Sequence, residues 1–303
     1  MAAYTGELAA LATAFCWSFT SIFFTLSGRM VGSPVVNRTR LLLAVVMVSL
    51  MHWVLEGQLL PLDAEPSRWG WMGLSGVVGF VIGDAFLFQA FVMIGPRLSM
   101  LLMALNPVMG VVLAWALLSE ELAVIELAGI FLTIGGVAWV LAERHQGTSS
   151  LPDVSPRYYL VGVLFGLGGA LGQASGLILS KQGLEGDFSA LSGNLMRLIA
   201  STSLIWLLAI AAGKARSNFQ ALQAHPRAIR LLIGGAIAGP FIGVWLSLIA
   251  VQHAPVGIAS TLMSLTPVIL LPLGRVFFNE AISQRAIGGT LLAMLGTAIL
   301  FLA

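Results

Sequence analysis

The sequence predicts an all-α integral membrane protein whose ten transmembrane helices form two inverted five-helix repeats. Three observations carry that expectation: an apolar composition, ten long apolar stretches divided by short polar gaps, and one phrase written twice. Of the 303 residues, 58% are hydrophobic and 9% charged, and the mean hydropathy is +0.96. Soluble domains carry about 25% charged residues, so a soluble fold of this length has too little polar surface to cover so much apolar side chain. The net charge of +2 and the lack of a basic, aromatic-interleaved cluster argue against nucleic acid as a partner. A single cysteine, Cys16, rules out an internal disulfide framework and a multi-cysteine metal site.

A membrane helix needs about 20 mostly apolar residues to cross the hydrocarbon core. Read from one polar gap to the next, the first half offers Gly6–Ser27, Val35–Leu55, Trp69–Ile94, Leu98–Leu118 and Val124–Ala142. The second half offers Tyr158–Ser180, Ala190–Ala212, Ala228–Val251, Gly257–Phe278 and Arg285–Leu302. The N-terminal stretch has no basic segment ahead of it and no small-residue cleavage site, so it reads as the first span rather than a signal peptide. Residues 1–142 form the first unit, 143–157 a linker loop, and 158–303 the second unit. The polar gaps are too short to house a soluble domain.

The repeated phrase is "LLMALNPVMG" from Leu101 and "TLMSLTPVIL" from Thr261. Shifted by 160 positions, Gly79 to Ala142 aligns without gaps on Gly239 to Leu302, matching Pro107 with Pro267 and Glu120 with Glu280. A shift of 157 places Asn37-x-x-Arg40 on Asn194-x-x-Arg197. Shared apolar letters are expected in so apolar a chain, whereas proline, glutamate and Asn-x-x-Arg in register require a duplication. Five helices per unit is an odd number, so the second unit enters the membrane from the opposite face. Inverted repeats of this kind are a hallmark of secondary transporters, whose binding sites lie near the midplane between the repeats.

The segments "GDAFLFQAFVMIGPRLSMLLMALNPVMGVVLAWALLSEEL" and "GVWLSLIAVQHAPVGIASTLMSLTPVILLPLGRVFFNEAIS" each resemble the EamA-type domain of the drug/metabolite transporter superfamily. The resemblance covers nearly the whole chain and is weaker in the first two helices of each unit. It implies a ten-helix carrier working by alternating access, with the first four helices of each unit around a central cavity and the fifth at the periphery. It names a fold and a mode of action, not a substrate.

Several residues invite a site. Asp84 stands inside the third span, about 10 residues or ~15 Å from the turn at Gly95. A charge at that depth costs at least ~2.5–3.5 kcal/mol, faces protein or water, needs a partner, and defaults to function. Val244 occupies the equivalent position, so the duplication did not require the acid. Arg40, in the antiparallel second span, is its expected partner. Arg197 either binds an anion as a fork or snorkels to the headgroups, with the balance on snorkelling. Pro107 and Pro267 should bend their helices and free the carbonyls of Met103 and Met263, beside the polar side chains of Asn106 and Thr266. Asn37, Asn194, Trp17, Gln89, Gln173 and Trp245 complete the candidate lining, with Ser18, Ser175 and Ser247 near them. Glu120 and Glu280 read as first-turn acids of the fifth and tenth helices. Gly129, Gly135, Gly136, Gly288, Gly289 and Gly296 suit close helix packing. Four scattered histidines show no metal-ligand spacing, and no cofactor is expected.

Counted by side, twelve Lys and Arg fall in or near the odd-numbered loops and two, Arg68 and Lys181, by the even ones. The positive-inside rule then puts both termini outside, while the family resemblance implies cytoplasmic termini; orientation stays open between them. The expected activity is secondary transport, as an exporter, of small polar, amino-acid-like metabolites across a bacterial-type plasma membrane, with a proton or counter-substrate as the coupling partner. Efflux of drugs or quaternary amines is the alternative. An intramembrane enzyme lacks support, since there is no His-Glu-x-x-His and no pair of intramembrane aspartates. A monomer is compatible with all of this.

Overall fold

The computed structural model describes residues 4–118, 123–143, 155–186, 188–254 and 256–302. Among the described residues, nine helices are long and apolar enough to cross a membrane, and no strand occurs. The helices are α1 (Thr5–Val31), α2 (Ser33–Glu56), α3 (Pro66–Gly76), α4 (Asp84–Met103), α5 (Asn106–Leu118), α6 (Val124–Glu143) and α7 (Pro156–Gly183). The chain continues with α8 (Ala190–Ala211), α9 (Ala215–Ala224), α10 (Pro226–Ala236), α11 (Val244–His253), α12 (Val256–Met263), α13 (Thr266–Phe278) and α14 (Gln284–Leu302). π-helical segments, Val77–Gly83 and Ile237–Gly243, join α3 to α4 and α10 to α11.

Eight of the nine candidate spans correspond one to one with the apolar stretches of the sequence. The ninth, Pro66–Met103, is 38 residues long, far more than the about 20 that one crossing needs. It is broken at Gly95, whose φ of 81° and ψ of 166° lie outside the helical region. Glycine tolerates that backbone at no steric cost, and Pro96 then starts the next helical turn, where its missing N–H is no loss.

The duplication is visible in the backbone itself. The two π segments are seven residues each, and α5 and α13 are thirteen each, all offset by 160 positions as in the sequence. Contacts respect the same exchange: α1 packs on α10 and α11 as α7 packs on α3 and α4, while α2 meets α8 and α6 meets α14. The α6–α14 contact is the most extensive. A Cβ on Gly136 would fall 2.4 Å from the Ala293 amide nitrogen, and one on Gly296 2.4 Å from that of Thr133. Gly135 departs from the packing expectation, since nothing lies within 4 Å of its place. Adjacent helix positions are turned by about 100°, so Gly135 looks away from the seam that Gly136 fills.

Two sequence readings change. Pro107 and Pro267 sit in the first turn of resumed helices rather than inside continuous ones, because the chain breaks at Ala104–Leu105 and again at Ser264–Leu265. The freed carbonyl in the second repeat is capped, with Thr266 Oγ1 donating to Met263 O at 3.1 Å. Glu280 is not a first-turn acid, since the last helix begins only at Gln284. It follows the left-handed Asn279 (φ 52°) that ends α13, and its carboxylate lies buried 2.8 Å from Arg97 Nε of the other repeat. Glu120 lies outside the described residues.

Candidate functional site

A cavity of about 490 Å³ opens between the two repeats. Its wall draws on both: Trp17 and Phe24 from α1, Arg40 from α2, Phe80, Asp84 and Phe88 from the first π segment and α4, Gln173 from α7 and Asn194 from α8. Val244, Ser264, Thr266, Pro267, Asn106 and Pro107 face the same space. The surroundings are mostly apolar and aromatic, with Phe24 and Phe88 edge to face at 5.3 Å.

Asp84 is the polar centre of that wall. Glycines set its place: Gly83 of the π segment lies against Gly172 of α7, and Gly79 against Gly176, where side chains would hold the two helices apart. That close approach carries Gln173 to the acid, and its Nε2 donates to Asp84 Oδ1 at 2.6 Å. Arg40 Nη2 donates to Asp84 Oδ2, and both side chains are buried. Asn37 then positions the arginine. Its Oδ1 accepts from Arg40 Nε at 3.2 Å, while its Nδ2 donates to Phe80 O at 3.1 Å, a carbonyl in the π segment. Asp84 therefore has a partner on each carboxylate oxygen, as a buried charge requires. The Arg40 guanidinium also lies 4.9 Å from the Phe88 ring centre.

The repeat-equivalent residues are arranged differently. Asn194, the counterpart of the engaged Asn37, faces the cavity and makes no side-chain hydrogen bond to the described residues; Asn106 does the same. Arg197 does not snorkel to the headgroups. Its guanidinium turns inward over Phe80, 4.4 Å from the ring centre, and its buried Nε has no hydrogen-bond partner among the described residues. Phe80 thus meets two guanidiniums, Arg40 at 5.7 Å and Arg197 at 4.4 Å. Cation–π attraction at such distances is worth about 0.5–2 kcal/mol each.

Of the residues expected at the site, Asp84, Arg40, Gln173, Asn106, Asn194, Thr266, Trp17, Pro107 and Pro267 line the cavity. Asn37 and Arg197 stand directly behind it. Gln89 does not contribute: its Oε1 accepts from Ser33 Oγ at 2.5 Å, which ties α4 to the start of α2. Trp245 is also misplaced by the sequence reading. Val244 takes the inward position, so the next residue is rotated about 100° away, and Trp245 is 42% exposed. Phe80 was missed. Its only signal is its position four residues before Asp84, about one turn away, which a chain with 16 phenylalanines does not single out. No cluster of three or more metal-ligating side chains occurs among the described residues.

A multi-pass helical membrane protein with a cavity between two copies of one unit is a transporter architecture. The EamA-like transporter family matches residues 4–142 and 160–302, and the chain belongs to that family. It is a transporter of the drug/metabolite type. No curated protein matches. A solved structure titled "Crystal structure of protein" is similar in fold, with a TM-score of 0.63 at 20% identity, covering 97% of this chain and 95% of that one.

Proposed function

We propose that this protein is a secondary-active carrier that exports zwitterionic, amino-acid-like metabolites by alternating access around the central cavity. The break at Gly95 ends one crossing, and the short stretch from Pro96 to Met103 joins α5 to make the next, which gives ten in all, five per repeat. An odd number per repeat makes the repeats inverted and puts the cavity near the midplane. The membrane is of the bacterial plasma type.

The observation that carries the reading is the Arg40–Asp84 pair on the cavity wall, with two unengaged amides, Asn106 and Asn194, facing it. An amino-acid-like zwitterion carries both charges of that pair. Its ammonium group matches Asp84 and its carboxylate matches Arg40, so it can exchange partners with the pair without stranding a charge. A permanent cation has no such exchange, because Asp84 is already neutralised by Arg40 and bonded by Gln173. The aromatic wall around Trp17, Phe24 and Phe88 accommodates an apolar body. These rings are also what favours the second reading, efflux of drugs or quaternary amines. Asp84 is the coupling residue in either case, taking up a proton or a counter-substrate as the pair opens.

An unbiased metabolite panel in proteoliposomes tests the function. Saturable, exchangeable uptake of a zwitterion is expected, with loss in Asn106→Ala and Asn194→Ala. Transport confined to quaternary amines would replace this reading by the second one.

A further inference from the structure

The loop between α8 and α10 carries a device that the duplication does not call for. In the first repeat the corresponding loop, residues 57–65, contains Asp63 and Glu65 and no Lys or Arg. In the second repeat it contains an extra helix, α9, with Lys214 just before it and Arg216 in its first turn, and Arg227 and Arg230 follow at the start of α10, where α3 has Arg68; all four are exposed. There is no acidic residue in the sequence between Asp187 and Glu280. Among the described residues, none of these four cations has a carboxylate within ion-pair distance.

The geometry lays α9 back against the flank of the bundle. Gly213, with φ of 67°, reverses the chain at the end of α8, and Lys214 N–H closes the turn onto Ala209 O at 2.8 Å. Asn218 is buried beneath α9 and donates to Thr39 Oγ1 of α2 at 3.4 Å. Phe219 stacks 5.5 Å from the Trp206 ring centre. Trp206 lies five residues before the end of α8, about 7–8 Å inward by helical rise. Phe219 is nevertheless 51% exposed, beside the exposed Leu207 and Ile210 of α8. One face of α9 is therefore anchored to protein, while Phe219, about 100° round the helix from Asn218, packs on Trp206 with one side and leaves the other exposed. Exposed cations on either side of an exposed aromatic ring are the pattern of an interfacial helix.

We propose that α9 and the start of α10 form a docking surface for anionic phospholipid headgroups, with Lys214, Arg216, Arg227 and Arg230 as the headgroup ligands. Charge complementarity selects the partner: four unpaired cations at the surface of a membrane match anionic lipid and not a zwitterionic headgroup. The same helix α10 leads into Ile237–Gly243, whose Gly239 and Pro240 line the cavity, so a lipid held here touches the span that must move.

Purified full-length protein is titrated with phosphatidylglycerol and, separately, phosphatidylcholine in one detergent, with bound lipid read by native mass spectrometry. Phosphatidylglycerol should bind in preference. Lys214→Gln, Arg216→Gln, Arg227→Gln and Arg230→Gln should each weaken it about fivefold, and all four together should reduce it to the phosphatidylcholine level. Should the quadruple variant express poorly, Arg216→Gln with Arg227→Gln should lose about 25-fold. Arg157→Gln with Arg275→Gln removes the same charge elsewhere and should leave binding unchanged. Equal affinity for the two lipids, or equal loss in that control, overturns the proposal. So does displacement of the lipid by soluble glycerol phosphate, which would make the surface a site for free phosphate esters.

Discussion

Replacing Asp84 by asparagine keeps the shape of the side chain and removes its charge, so it separates coupling from folding. Arg40 is then a buried cation with a neutral partner, still held by Asn37 and by the Phe88 ring. Asp84→Asn should insert and purify as a monodisperse protein yet show no net transport in proteoliposomes. Arg40→Ala instead leaves a buried carboxylate with Gln173 as its remaining hydrogen-bond donor, and breaking a buried pair from one side costs about 3–5 kcal/mol. The double variant Arg40→Ala/Asp84→Asn should therefore express and resist unfolding better than Arg40→Ala alone. Full transport by Asp84→Asn would remove the carboxylate from the mechanism. At this scale the acid was legible because an aspartate inside an apolar run has few explanations, and its partner followed from the antiparallel neighbour. Arg197 and Trp245 were not legible. Inward and outward positions on one helix differ by a single residue, and nothing in an apolar sequence marks which face meets lipid and which meets the cavity.

Neighbouring glycines test the packing of whole elements. Gly136 meets the backbone of α14, with Gly289 O only 2.6 Å from a built Cβ, while Gly135 meets nothing. A backbone cannot rotate aside as a side chain can. Gly136→Leu should thus cost at the upper end of the roughly 1–3 kcal/mol typical of overpacking, and Gly135→Leu should be tolerated. Thermal unfolding in a single detergent reads both, and equal effects would mean that α6 and α14 do not pack as described. Arg97 and Glu280 join the repeats through a different element pair, where α4 meets the turn after α13. Their charges are far apart in sequence, 183 positions by number, so helix-capping logic was the nearest local explanation for Glu280 and the wrong one. The π segments were equally hidden. Sequence periodicity reports that a helix continues; it carries no mark for one extra residue per turn at Val77–Gly83 and Ile237–Gly243. The prolines did signal an interruption near Met103 and Met263, but the break itself precedes each by two or three residues, because proline prefers the first turn of a new helix.

For the whole molecule the decisive question is whether the two copies of one unit run in opposite directions through the membrane. The pairing of α1 with α10 and α11, of α7 with α3 and α4, and of α6 with α14 is what a two-fold relation between the units produces, whichever way that axis points. Only the count of crossings fixes its direction. If the break at Gly95 separates two crossings, Ser119 and Asn279, which follow equivalent apolar stretches of the two repeats in the sequence, should emerge on opposite faces. Single cysteines at these positions, introduced after Cys16→Ala, should react with an impermeant maleimide from opposite sides of intact and inverted vesicles. Labelling of both from one side would mean an even number of crossings per unit and would remove the inverted repeat. Tags at the two termini in the same vesicles settle orientation. The twelve cations gathered by the odd loops, four of them around α9, predict that those loops face the cytoplasm and that both tags are external. Cytoplasmic tags would instead place the basic α9 surface against the outer leaflet. The charge asymmetry between residues 57–65 and the α9 loop would then have arisen for a reason other than insertion.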